Sequence, residues 1–157
     1  VLLSSASVAH FLRLSKWQGW RCSANALVWI LHLAYLWLPV GLLLLAGAQV
    51  EIVPETAGIH AFSTGAMATM ILAVMSRASL GHTGRALFAS REIVASFILI
   101  TIAAVLRVQA ALSIGDGQAA LAVAGAAWLG AFGLFLFRYG PILCAPRSDE
   151  NTKEGQA

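Results

Sequence analysis

The sequence predicts an all-α protein, a polytopic bundle of transmembrane helices with four full helices and the end of a fifth. Hydrophobic residues make up 59% of the chain and charged residues 11%, whereas a soluble domain has about 45–50% and about 25%. The apolar residues also form runs that reach the roughly 20 residues needed to cross a bilayer. The basic residues are dispersed at the ends of these runs, which indicates membrane orientation and not nucleic-acid binding.

Apolar runs bounded by charged or turn-forming residues define the predicted elements. The first run, 1–14, is too short to cross a bilayer, and we expect it to be the inner end of a truncated helix. Because the sequence starts without Met inside this run, we expect the chain to be the C-terminal part of a longer membrane protein. The four full helices are predicted, within a transmembrane unit of residues 1–146, at residues 24–48, 58–75, 93–112 and 119–137.

The charges of the connecting segments predict how the helices are oriented. Nine of the ten Lys and Arg residues fall in the first loop, in the loop 76–91 and in the tail. The other two loops carry Glu51, Glu55 and Asp116 instead. Positively charged loops stay on the cytoplasmic side of a membrane. We therefore expect a cytoplasmic C-terminus, with residues 147–157 as a disordered tail.

Small residues at every fourth position predict close contact between helices in lipid. In the second full helix they are Ala61, Gly65, Thr69 and Ala73, and in the fourth they are Ala122, Ala126 and Gly130. We interpret both sets as packing surfaces and not as walls of a ligand site.

Histidines inside a membrane are costly unless they have a hydrogen-bond partner or a metal, so each is a candidate ligand. His60 lies at the outer end of the second full helix and, at 100° per residue, shares a face with Thr64 and Met67. An imidazole and a thioether together suit a soft metal ion such as Cu(I). The alternative is an interfacial histidine above a methionine of the core.

His32 lies deeper, about 12 Å into the first full helix. It needs a metal or a hydrogen bond to a Ser or Thr of a neighbouring helix. His10 and His82 fall at the cytoplasmic boundary. His82 belongs to SLGHTGR, whose Arg85 is suited to hold either carboxylates such as haem propionates or lipid phosphates. The alternative for His82 is a solvated histidine of a loop.

Arg107 is the one basic residue on the opposite side, so the positive-inside rule does not explain it. It either extends its side chain to the outer interface or pairs with an acidic group. The candidate groups are Glu51, Glu55 and a cofactor carboxylate.

A long motif in this sequence resembles the signature of the NnrS family of bacterial inner-membrane proteins. The motif is HAFSTGAMATMILAVMSRASLGHTGR, and RLSKWQGWR, LVWILHLAYLWLPVGLLLL and RYGPIL are similar to neighbouring pieces of the family pattern. The resemblance extends from about Phe11 to Pro146. It implies a protein of about twelve helices that binds haem and copper and is linked to the nitric oxide response, through nitrosative stress resistance or denitrification-linked metabolism.

The resemblance also implies the site residues. His10, His32, His60 and His82 match histidines of the family motifs, but which of them bind haem and which bind copper stays open. We take all four histidines, with Arg85 and Arg107, as candidate haem-binding residues. Candidate metal ligands are His32, His60, His82 and Met67. The cysteines, Cys22 and Cys144, form no CxxCH pattern, so the haem is expected to be non-covalent and b-type.

Depth limits how the histidines can pair. The two axial nitrogens of one haem lie only about 4 Å apart, which favours His10 with His82 on the inner side. His32 and His60 are then left to pair with each other or with residues of the expected N-terminal helices. The predicted partners are these N-terminal helices, the lipid bilayer and nitric oxide.

A transporter or permease without metal is the alternative function, because helix-borne histidines also relay protons. No acid–base pair for catalysis is visible, so enzymatic turnover stays open.

Overall fold

A computed structural model of the protein describes residues 1–22 and 25–147. The helices are α1 (Leu2–Lys16), α2 (Ala26–Ala48), α3 (Glu55–His82), α4 (Arg91–Ala111) and α5 (Gly117–Cys144). The described residues contain no strand, and α2 to α5 are each long and apolar enough to cross a membrane. This confirms the predicted all-α membrane bundle. The predicted helix start at Ala24 and the tail beyond Arg147 lie outside the described residues.

Helix α3 is longer than predicted, because the expected loop at 76–91 is helical as far as His82. Ser76 is fully buried on this helix, and its hydroxyl donates to the Leu72 carbonyl at 2.8 Å. A serine that bonds to its own helix no longer breaks an apolar run. Similarly, α5 continues past Arg138 to Cys144. The charge of Arg138 does not end the helix, because the guanidinium lies at the surface, 4.0 Å from Glu92 at the start of α4.

The GHTGR motif is the capped end of α3. Gly84 has a φ of 68°, the left-handed conformation that favours glycine. The amide of Arg85 donates to the Leu80 carbonyl at 2.9 Å, and the amide of Gly84 donates to the Gly81 carbonyl at 3.3 Å. These two bonds form a Schellman cap. The motif therefore places His82 on the last helical turn, which corrects the prediction of a loop histidine.

The middle of α3, residues Ala61–Ala68, is a π-helix. Its hydrogen bonds run from residue i to i+5, so each turn contains more residues than an α-helical turn. The predicted common face of His60, Thr64 and Met67 assumed 100° per residue, which does not hold here. Met67 is 62% exposed. The Met67 thioether therefore lies at the surface of the described bundle, and not in its core.

Small residues line the contact surface of α3 as predicted, since Ala61, Gly65, Thr69 and Ala73 are all buried. The stripe predicted for α5 is displaced. Ala122 and Ala126 are exposed, and the buried alanines of α5 are Ala120, Ala124, Ala127 and Ala131. Helix α5 is rich in small residues all round, so its sequence did not distinguish the packed face from the others.

Buried hydroxyls join neighbouring helices. The Ser7 hydroxyl of α1 donates to the Pro39 carbonyl of α2 at 2.7 Å, and the Ser96 hydroxyl of α4 donates to the Ala131 carbonyl of α5 at 2.7 Å. The apolar core lies between α2, α3, α4 and α5, and its fully or almost fully buried large side chains are Leu27, Ile30, Leu72, Ile93, Ile100, Phe135 and Tyr139.

Candidate functional site

His10 and His32 belong to one aromatic cluster between α1 and α2, which we call the α1–α2 cluster (His10, Trp17, His32 and Tyr35). Nδ1 of His10 and the Tyr35 hydroxyl are hydrogen-bonded at 2.6 Å. The Trp17 ring lies 4.6 Å from the Tyr35 ring and 5.9 Å from the His32 ring, between centroids. Trp17 therefore packs against His32 directly and against Tyr35, which is the hydrogen-bond partner of His10.

Helix geometry explains why the two histidines lie close together. His10 precedes the end of α1 by about 9 Å, and His32 follows the start of α2 by about 9 Å, at a rise of 1.5 Å per residue. The connection between these helices is short, with Gln18 at a φ of 50° and a 3₁₀ turn at Gly19–Cys22. Because the two helices run antiparallel from this short connection, residues that are equally far from it lie next to each other.

The hydrogen bond of His32 fixes its tautomer. Nδ1 lies 3.0 Å from the Val28 carbonyl oxygen on the preceding turn of α2. A carbonyl oxygen only accepts, so Nδ1 carries the proton and Nε2 keeps its lone pair. Metal-binding histidines usually have such a bond on the other ring nitrogen. The predicted alternative of a hydroxyl from a neighbouring helix is replaced here by a backbone carbonyl of the same helix.

His32 lines a cavity of about 360 Å³ on the side of the α1–α2 pair. The other lining residues are mostly apolar and comprise Phe11, Leu14, Ser15, Gly19, Trp29, Leu33 and Leu36. The Arg13 guanidinium lies 5.5 Å from the centre of the Trp17 ring, close enough for a cation–π contact. The arrangement combines an available imidazole nitrogen, apolar walls and a nearby positive charge.

His82 has different surroundings from His10, with which it was predicted to pair. It is exposed and lines a separate cavity of about 450 Å³ with Arg77, Leu31 and Leu87. The Arg85 guanidinium lies 3.5 Å from the Thr83 carbonyl beside it. The structure pairs His10 with Tyr35 and the α1–α2 cluster instead.

His60 and Arg107 lie at the other end of the bundle. His60 is near the start of α3, and Arg107 is near the end of α4. Arg107 also lines a cavity of about 420 Å³ with Thr64 of the π-helical segment. Arg107 forms no salt bridge with another described residue, whereas the Arg138 guanidinium lies 4.0 Å from Glu92. The predicted pairing of Arg107 with Glu51 or Glu55 is therefore not formed.

Metal ligands are not gathered in one place. Residues 1–22 and 25–147 contain no group of three His, Cys, Asp or Glu side chains able to hold a metal ion. Sequence reasoning missed Trp17 and Tyr35, which connect the two histidines of the α1–α2 cluster. Tyr35 follows His32 by three residues and so shares its helix face, a spacing that indicated this neighbour.

The fold and these sites define a polytopic helical membrane protein with imidazoles at two depths of the bundle. A family model described as NnrS protein matches residues 1–147 of the 157-residue chain. The chain belongs to the NnrS family, which confirms the resemblance seen in its motifs. It matches no curated protein and no solved structure.

Proposed function

We propose that this protein binds b-type haem and copper in the bacterial inner membrane, with its C-terminus in the cytoplasm, and acts in the nitric oxide response. Its contribution is to nitrosative stress resistance or to denitrification-linked metabolism. Membership of the NnrS family supports this proposal. The observation that carries the haem assignment is the 3.0 Å contact between His32 Nδ1 and the Val28 carbonyl, beside an apolar cavity.

The residues around His32 suit a haem. The Val28 carbonyl holds the imidazole in the tautomer that leaves Nε2 for iron and makes it more basic. Phe11, Trp29 and Leu36 give the cavity apolar walls. Arg13 supplies a positive charge for a propionate, because its guanidinium lies over Trp17 and not in an ion pair with any described residue. Haem iron held by a histidine supplies a site that binds diatomic gases. The polarity, hydrogen-bond donors and accessibility of the surrounding pocket decide how such a gas is bound.

His10 is a positioning residue in this proposal. Its Nδ1 is engaged with the Tyr35 hydroxyl, which lies one turn beyond His32 on α2. Trp17 packs against Tyr35 and His32 together. These contacts restrain the rotation of the His32 ring and hold the end of α1 against the cavity.

Copper fits the described residues less well. No three donors converge among them. Binding of copper by His60 and Met67 stays a prediction, and it needs further ligands besides these two residues. Copper analysis of the His60→Ala and Met67→Leu variants tests it, and unchanged copper content in both would remove these residues from the ligand set.

The haem assignment is tested on the full-length protein. We expect His32→Ala to lose most of the Soret absorbance and pyridine haemochrome, with partial recovery on addition of imidazole. His82→Ala is the matched control, because it removes a histidine from a different cavity. Full haem in the His32 variant with loss in the His82 variant would move the site to the His82 cavity. A colourless wild-type protein would instead favour the alternative, a transporter or permease without metal.

A further inference from the structure

A second site lies between α3, α4 and α5, near the end of the bundle that carries the acidic loops. Arg107 of α4, Thr64 of α3 and Trp128 of α5 line the cavity of about 420 Å³ there. The remaining lining residues are apolar or glycine and comprise Ala103, Leu121, Ala124 and Gly125. None of the described residues that line this cavity is a carboxylate.

The polar groups of this cavity are rich in donors. Arg107 carries five N–H donors and no acceptor, and the Trp128 indole has a donor only. A hydroxyl such as that of Thr64 donates or accepts. Within the described ranges, neither the Arg107 guanidinium nor the Thr64 hydroxyl has a hydrogen-bond partner. By contrast, the Thr101 hydroxyl of α4 donates to the Phe97 carbonyl of its own helix at 2.7 Å.

The position of the cavity argues against the alternative in which the Arg107 side chain only extends to the outer membrane interface. Arg107 precedes the end of α4 by about 6 Å. Thr64 lies roughly 14 Å from the start of α3, and Trp128 roughly 16 Å from the start of α5. The cavity therefore extends inward from Arg107. An unneutralised guanidinium at such a site is costly, and a bound anion offsets that cost.

We propose that this cavity binds a planar oxyanion group, held by the Arg107 guanidinium through two parallel hydrogen bonds and by the Thr64 hydroxyl through a third. A planar guanidinium matches an anion with two coplanar oxygens. The group belongs either to a free small anion such as formate or nitrite, or to a carboxylate of a bound organic molecule. The volume leaves room for waters around a free anion. This site does not depend on the haem assignment to His32.

The test uses the full-length protein, purified with any haem present and kept ferrous with carbon monoxide so that iron does not bind the probe. Thermal unfolding is followed with sodium formate or sodium nitrite against sodium chloride at equal ionic strength. A ligand that binds only the folded protein raises the unfolding temperature. We expect formate and nitrite to do so in the wild type and Arg107→Gln to abolish the shift. Arg107→Lys should weaken binding about tenfold, because lysine lacks the planar fork that makes two parallel hydrogen bonds. Arg77→Gln, at a different cavity, is the matched control.

The source of the anion is read from two further results. A shift with free formate that survives in His32→Ala supports a site for a free anion. No shift in the wild type, together with loss of a bound organic carboxylate in Arg107→Gln but not Arg77→Gln, assigns the site to that carboxylate. Equal binding by wild type and Arg107→Gln, or no difference between these variants in either readout, would overturn the proposal.

Discussion

Trp37 of α2 lies directly over Gly65 in the π-helical segment of α3. A Cβ atom on Gly65 would stand 2.4 Å from Cδ2 of the Trp37 ring. This is much shorter than van der Waals contact, and the atom it meets is part of a rigid ring. The close crossing of α2 and α3 therefore requires a glycine at this position.

Gly65→Ala is expected to destabilise the protein by about 1–3 kcal/mol, because the added methyl forces the two helices apart. Gly65→Leu should be worse. Thermal unfolding in detergent measures the effect. Gly133→Ala in α5 is the control, since a Cβ there meets nothing within 4 Å. Equal unfolding temperatures for the two alanine variants would show that α2 and α3 do not cross as described.

Two glycines of the GHTGR motif should respond in opposite directions. Gly84→Ala is expected to cost about 1 kcal/mol, because its φ of 68° is unfavourable for a residue with a Cβ. Gly81 lies within the helix, and a Cβ there meets nothing within 4 Å. Gly81→Ala is therefore expected to stabilise by about 0.5–1 kcal/mol. The same unfolding measurement checks both, and a loss of stability of equal size in both would contradict the cap.

The bond between the Ser96 hydroxyl and the Ala131 carbonyl should contribute measurably to the α4–α5 pair. Ser96→Ala is expected to cost about 0.6 kcal/mol, a typical value for a hydrogen bond between membrane helices. Thr101→Val is the control, because it removes a bond inside one helix with little change of shape. A larger effect of the control would argue against the interhelical bond as a stabilising contact.

The orientation of the bundle is predicted from loop charge and can be tested directly. Reporter fusions after Arg147 and within residues 49–57 are expected on opposite sides of the membrane, with the former in the cytoplasm. Three spans, α3, α4 and α5, lie between these two points, so the points are on opposite sides if all three cross. A finding that both lie on one side would mean that one of the spans does not cross.

The number and type of helices could be predicted from the sequence, because the cost of leaving backbone polar groups unpaired in lipid admits few structures. The end of α3 was predicted too early, since Ser76 and Ser79 were taken for loop residues. They are buried on the helix. Serine pairs with its own helix backbone as well as with water, so its polarity alone does not mark a helix end.

The candidate site was predicted residue by residue but not as a set. The sequence indicated that His32 needs a partner, and the structure supplies the Val28 carbonyl. Pairing of His10 with His82 was expected from their common end of the bundle. The short connection between α1 and α2 places His10 against Tyr35 instead. Loop length and helix register decide which residues become neighbours. Neither the apolar pattern of the sequence nor the depth of a residue in the membrane gives this information.

The sequence by itself determined the membrane class, the four spans, the alternation of loop charge and the family. Only the tertiary structure decided which faces of the helices meet: Gly65 against Trp37, Ala131 against Ser96, and His32 beside Trp17. The physical reason is that residues facing lipid and residues facing the core are both apolar. A membrane helix therefore carries little periodic contrast to show its packed side, and close packing of specific side chains selects that side in the folded bundle.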